Sequence, residues 1–150
     1  MPSSNDELLG SFSEEERREL ASVTYRYRPG SEISLDRLLA AWAQKVSKLD
    51  ADRDLPADAP QAWGAHDVVG TLRTRDRIAA VVDSAPEPLR QAVERWLVRW
   101  DDLYRSFTVE DPRRRLIRLA DLPETLDGWW WRRAPVSGPA AAELDAFSAP

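Results

Sequence analysis

Apolar residues recur along this chain with helical spacing in three places. Leu35, Leu38, Leu39, Trp42, Val46 and Leu49 make one continuous stripe, because residues three and four apart share a helix face. Ser34 is placed to cap its start, with Ile33 and Leu38 as a hydrophobic staple. The helix should stop near Asp50, where DADRDLPADAP turns acidic and proline-bearing. A second helix is expected over 67–82 on Val68, Leu72, Ala79 and Val82, with Gly70 its weak point. The strongest pattern is Leu89, Val93, Trp96, Trp100, Leu103 and Phe107, which puts two indoles in one seam. Pro86 and Pro88 confine the start of that helix, and EDP at 110–112 closes it.

Shorter signals fill in the remainder. Ser13 followed by Glu16 has capping-box spacing, so a first helix carries EEERREL. In VTYRYR, 23–28, Val23, Tyr25 and Tyr27 alternate with polar residues before a Pro29-Gly30 turn. That reads as a short strand, the alternative being a helix that runs on. RLIRL at 115–119 fits a strand or a helical turn, and WWWRR at 129–133 fits a strand pairing with VTYRYR. Residues 1–12 and 136–150 read as tails, the second with one helical turn around Leu144 and Phe147. Three strong stripes must bury one another. The expected fold is mainly α: a small bundle of three to five helices with one short two-stranded β element, in a single domain over 13–135.

Composition narrows the function classes. With 43% hydrophobic and 31% charged residues the chain reads as an ordinary globular protein. It has no cysteine, which rules out disulfides and thiolate metal sites and fits a reducing compartment. MPSSNDELLG has neither a basic nor an apolar leader region, and the longest uncharged apolar run is IAAVV at 78–82. A cytoplasmic protein with no membrane partner is expected. The net charge of -5 argues against a general polyanion binder. The lysines are Lys45 and Lys48 alone, and every other basic side chain is arginine. Arginine suits bidentate and stacked contacts, although a GC-rich genome produces the same bias.

Chemical motifs are mostly absent. Asp50, Asp52 and Asp54 take the first, third and fifth positions of a calcium loop, but Leu55 and Gln61 replace its glycine and glutamate. His66-Asp67 resembles half of a phosphohydrolase metal set, yet His66 is the one histidine. There is no nucleophile elbow and no glycine-rich phosphate cradle. Asp101 and Asp102 point about 100° apart on a helix and read as a solvated face. No catalytic residue, metal ligand or cofactor is expected.

DGWWWRRAP at 127–135 carries the main functional expectation. Three consecutive tryptophans cannot all share one face of a helix or strand, so two close the core while the third meets an arginine, a partner or water. Tryptophan and arginine are enriched at the energetic centres of protein interfaces, which makes Trp129, Trp130, Trp131, Arg132 and Arg133 the candidate partner contacts. The expected function is non-enzymatic binding of another protein, masking or bridging it as an immunity-like or antitoxin-like inhibitor or a regulatory adaptor does. An alternative is nucleic-acid association through Arg113, Arg114 and Arg115, with indoles for unpaired bases. Six arginines stand against Asp121, Glu124 and Asp127 between Pro112 and Arg133. A second alternative is a small enzyme with a pocket at His66 or at Asp101 and Asp102.

Overall fold

A computed structural model describes residues 7–148. The protein is mainly α-helical. Among the described residues the complete α-helices are α1 (Glu14–Ser22), α2 (Leu35–Asp52), α3 (Ala65–Val82), α4 (Glu87–Ser106), α5 (Arg115–Leu119) and α6 (Gly138–Ser148). That is one more than the upper expectation, because RLIRL is helical and the C-terminal segment forms a full helix. Two short antiparallel pairs accompany them where one was expected: β1 (Thr24–Arg28) with β2 (Ser31–Ser34), and β3 (Thr108–Glu110) with β4 (Arg133–Pro135). The expected pairing of WWWRR with VTYRYR is not made. The tryptophans form a 3-10 turn, Trp129–Arg132, and β1 pairs with its sequence neighbour instead.

The chain divides into two compact units. Among the described residues, one comprises 7–44 together with Thr74–Asp101; the other comprises Lys45–Arg73 and 102–148.

In the first unit, the Ser13 hydroxyl accepts from the Glu16 N–H at 3.0 Å and the Glu16 carboxylate accepts from the Ser13 N–H at 2.8 Å, completing the capping box. Gly30, at φ +79°, makes the turn between β1 and β2 that side chains resist. Leu35, Leu38, Leu39 and Trp42 are buried as the stripe requires, as are Leu89, Val93, Trp96 and Trp100. The segment read as a tail contributes to this core: Leu9 and Phe12 are buried, and the Trp96 indole donates to the Leu8 carbonyl at 2.9 Å. The remainder of that expected tail, 1–6, lies outside the described residues. Asp101 is the larger correction. It is buried, accepting from Arg75 Nε and Nη2 at 3.0 and 3.1 Å and from the Trp42 indole at 3.1 Å, whereas Asp102 is exposed.

In the second unit, Val46, Leu49, Val68, Leu72, Tyr104, Phe107, Leu116 and Ile117 are buried. Helix α6 packs on α5 and β4 and buries Ala140, Ala141 and Leu144. Glu143 accepts from the Ala65 N–H at 3.0 Å, tying α6 to the start of α3. The expected C-terminal tail is therefore three turns of helix, with 149–150 outside the described residues. Helix α2 runs past the expected stop near Asp50 to Asp52, which is buried and accepts from Lys48 Nζ and the Trp63 N–H at 2.9 Å each. His66 is exposed at the start of α3. Among the described residues no helix is long and apolar enough to cross a membrane.

Candidate functional site

The DGWWWRRAP segment folds as a tight turn leading into a strand. A 3-10 helix has three residues per turn, so consecutive side chains fan by about 120°. The three indoles therefore point three ways. Trp131 is fully buried and Trp130 is 7% exposed, which removes both from the candidate contacts. Trp129 is half-buried and packs edge-on against Trp130, with ring centroids 5.6 Å apart and planes at 80°. Tyr104 lies 6.1 Å from Trp129, and the Arg105 guanidinium sits 3.8 Å from the centre of the Trp129 ring. The third indole thus lies under an arginine, held by a cation–π contact. Gly128 permits this packing: a Cβ there would overlap the Trp130 ring.

The turn passes directly into β4, which pairs Arg133 opposite Glu110, Ala134 opposite Val109 and Pro135 opposite Thr108. The Asp111 N–H extends the ladder to the Arg132 carbonyl at 2.7 Å. Between these strands, α5 is anchored at its start by Asp111, whose carboxylate accepts from the Arg115 N–H at 3.0 Å. Arg114 precedes α5 in the left-handed region, φ 50°, a conformation that costs a non-glycine residue about 1–2 kcal/mol. Its guanidinium donates to the Glu124 carbonyl at 2.9 Å and to the Leu126 carbonyl, fastening the loop that leads back to the tryptophans.

These elements surround a cleft of about 400 Å³. Its cationic walls are Arg105, Arg114, Arg132 and Arg133, its acidic ones Glu110 and Asp111, and Trp129 supplies the aromatic surface. The volume falls in the range of ordinary ligand sites, about 300–1,000 Å³. Three of the five sequence-derived contacts, Trp129, Arg132 and Arg133, line it. Arg105, Glu110 and Arg114 were not placed among the protein-partner contacts, since no local pattern links them to the tryptophans.

The arginines do different jobs. Arg133 is half-buried: its Nε donates to the Thr108 hydroxyl at 2.9 Å, and its Nη2 to the Thr108 and Arg105 carbonyls at 2.8 and 3.3 Å. Arg132 is exposed, and its guanidinium bonds to no described residue. Arg115 is fully engaged, with Asp111 at 3.2 Å and Asp145 at 2.9 Å. Burial works against its protonation, but bonds to Asp145 and Asp111 more than offset this and raise its pKa. Tyr104, completely buried beneath Trp129, has its phenol pKa raised by desolvation, partly countered by the charge of Arg133 and reinforced by Asp111. The proposed nucleic-acid triplet is thereby broken up. Arg115 is neutralised, Arg114 spends its Nη groups on carbonyls, and only Arg113 is exposed and unengaged.

Comparison with protein-family models, with curated proteins and with solved structures finds no match to this chain.

Proposed function

We propose that this is a cytoplasmic, non-enzymatic protein that acts by binding another protein through the cleft beside Trp129, masking or bridging that partner. One observation carries the reading. Two adjacent indoles, Trp130 and Trp131, anchor the turn in the core while the third, with Arg132 beside it, lines an open cleft. A rigid aromatic flanked by arginines is what energetic centres of protein interfaces are made of, and its immobility lowers the ordering cost of association. Asp101, the one carboxylate of the Asp101–Asp102 pair that is buried, is committed to Arg75 and Trp42, which favours binding over acid–base chemistry.

The test is an affinity capture from host lysate with wild type, Trp129→Ala and Arg132→Ala, each checked for wild-type circular dichroism. A protein retained by wild type and lost with both folded variants is the expected result. Capture that ignores both substitutions, or no specific capture at all, overturns the reading.

A further inference from the structure

We infer that the cleft receives a short acidic segment of the partner, seating a carboxylate against Arg132 in the field of Arg114 and Arg133. This rests on the binding reading above and names the chemistry that is bound. The argument starts from how the charges are compensated. Arg133 and Arg114 direct their hydrogen bonds at a hydroxyl and at main-chain carbonyls, so their donors are partly satisfied while their charge meets no carboxylate. Even Glu110, the cross-strand neighbour of Arg133, forms no ion pair with it among the described residues. Arg132 is wholly unengaged, and Nη1 of Arg133 donates to no described residue. Asp111 is already neutralised by Arg115. Arg105 is paired with Asp102 at 3.0 Å, so of the four arginines lining the cleft three have no carboxylate partner, against one unpaired carboxylate, Glu110. Arg114 and Arg133, half-buried and held in place by neutral oxygens, set a fixed positive field before the anion arrives, and Arg132 adds a guanidinium with all its donors free.

The same residues select the kind of anion. A nucleic-acid strand presents a phosphate at every step, and its track through the cleft would pass Glu110 on a chain whose net charge is -5. A peptide that places a single carboxylate at Arg132 meets less of that repulsion than a strand with a phosphate at every step. The cleft volume suits a few side chains and no more, and Trp129 offers apolar contact to the stems between the acids.

The experiment presents a positional-scanning hexapeptide library, and separately an oligodeoxythymidylate, to the full chain and to Arg132→Ala. The Arg132 side chain bonds to no described residue and its backbone contacts survive replacement by alanine, so the variant should keep the fold. Enrichment of Asp or Glu at defined positions, with at least a tenfold loss of affinity in Arg132→Ala, is the expected result. Glu110→Gln should bind the enriched peptides severalfold more tightly. Absence of acidic enrichment, enrichment insensitive to Arg132→Ala, or tighter binding of the oligonucleotide than of any peptide overturns the inference. A lysate partner lost with Trp129→Ala or Arg132→Ala but showing no acidic preference would reject the acidic ligand and keep the binding reading; capture that ignores both substitutions rejects both.

Discussion

Arg75 in the first unit and Arg133 in the second place the same side chain in two settings. Arg75 is buried and gripped by both oxygens of Asp101, which also accepts from the Trp42 indole. Arg133 is half-buried and held by a hydroxyl and two carbonyls, with no carboxylate among its partners. In the first case the charge is cancelled where it stands, and the pair serves the fold. In the second the geometry is equally fixed, yet the positive potential stays directed at the cleft. Orientation and neutralisation are thus separable: an arginine can be immobilised without being silenced.

Substitutions test how far that contrast holds. Asp101→Ala should have the largest effect, about 3–5 kcal/mol, because it takes the two-oxygen carboxylate grip away from a buried guanidinium; urea denaturation of wild type and variant measures it. Arg133→Met removes hydrogen bonds without stranding a charge, and about 1–3 kcal/mol is expected by the same assay. If the second loss equals the first, the two settings are energetically alike and the contrast fails.

Tyr104 sharpens the comparison from the electrostatic side. Its folded pKa lies above the unfolded value of about 10, so above that pH the unfolded chain sheds a proton that the folded one keeps. Stability conferred below pH 10 is therefore lost as pH rises, by about 1 kcal/mol between pH 9 and pH 11. Tyr104→Phe should remove this component from a pH series of denaturation midpoints.

Arg114 separates side chain from backbone. Arg114→Gly and Arg114→Ala both delete the guanidinium, but glycine tolerates φ 50° and should leave the protein about 1 kcal/mol more stable than alanine does. The smallest effect belongs to Arg132→Ala, whose melting temperature should match wild type while peptide affinity falls. A drop in stability there would mean that Arg132 supports the fold, contrary to its exposure.

What could be read in the sequence follows the range over which the forces act. The stripes on α2 and α4 were legible because apolar burial repeats every three or four residues, and the Ser13–Glu16 box because capping is local. On helix α3 the apolar pattern and the buried face are slightly out of phase: the buried face includes Thr71, Thr74 and Arg75 along with Ile78 and Val81, so polar residues interrupt the stripe and Ala79 and Val82 lie beside it. Arg75 is neutralised there by Asp101, far along the chain, and no local pattern announces that pairing. The cleft was legible in part. That three adjacent tryptophans must diverge follows from backbone geometry, and Trp129 is the one that diverged. That Arg133 would pair with β3 and bond to Thr108 was not readable, since three-residue strands carry too little alternation to reveal a partner.

The β3–β4 pairing has a consequence for binding kinetics. The two strands are separated in the chain by everything from Asp111 to Arg132, including α5 and the tryptophan turn. Both ends of that long segment must meet before Arg132 and Arg133 acquire their places, and closing such a loop costs entropy that nothing within β4 alone repays. Local opening that parts Val109 from Ala134 dismantles the cleft while leaving the long helices paired with their own cores. A bound ligand would therefore act as a latch on the loop, slowing exchange of the Ala134 and Asp111 amide protons in proportion to its occupancy.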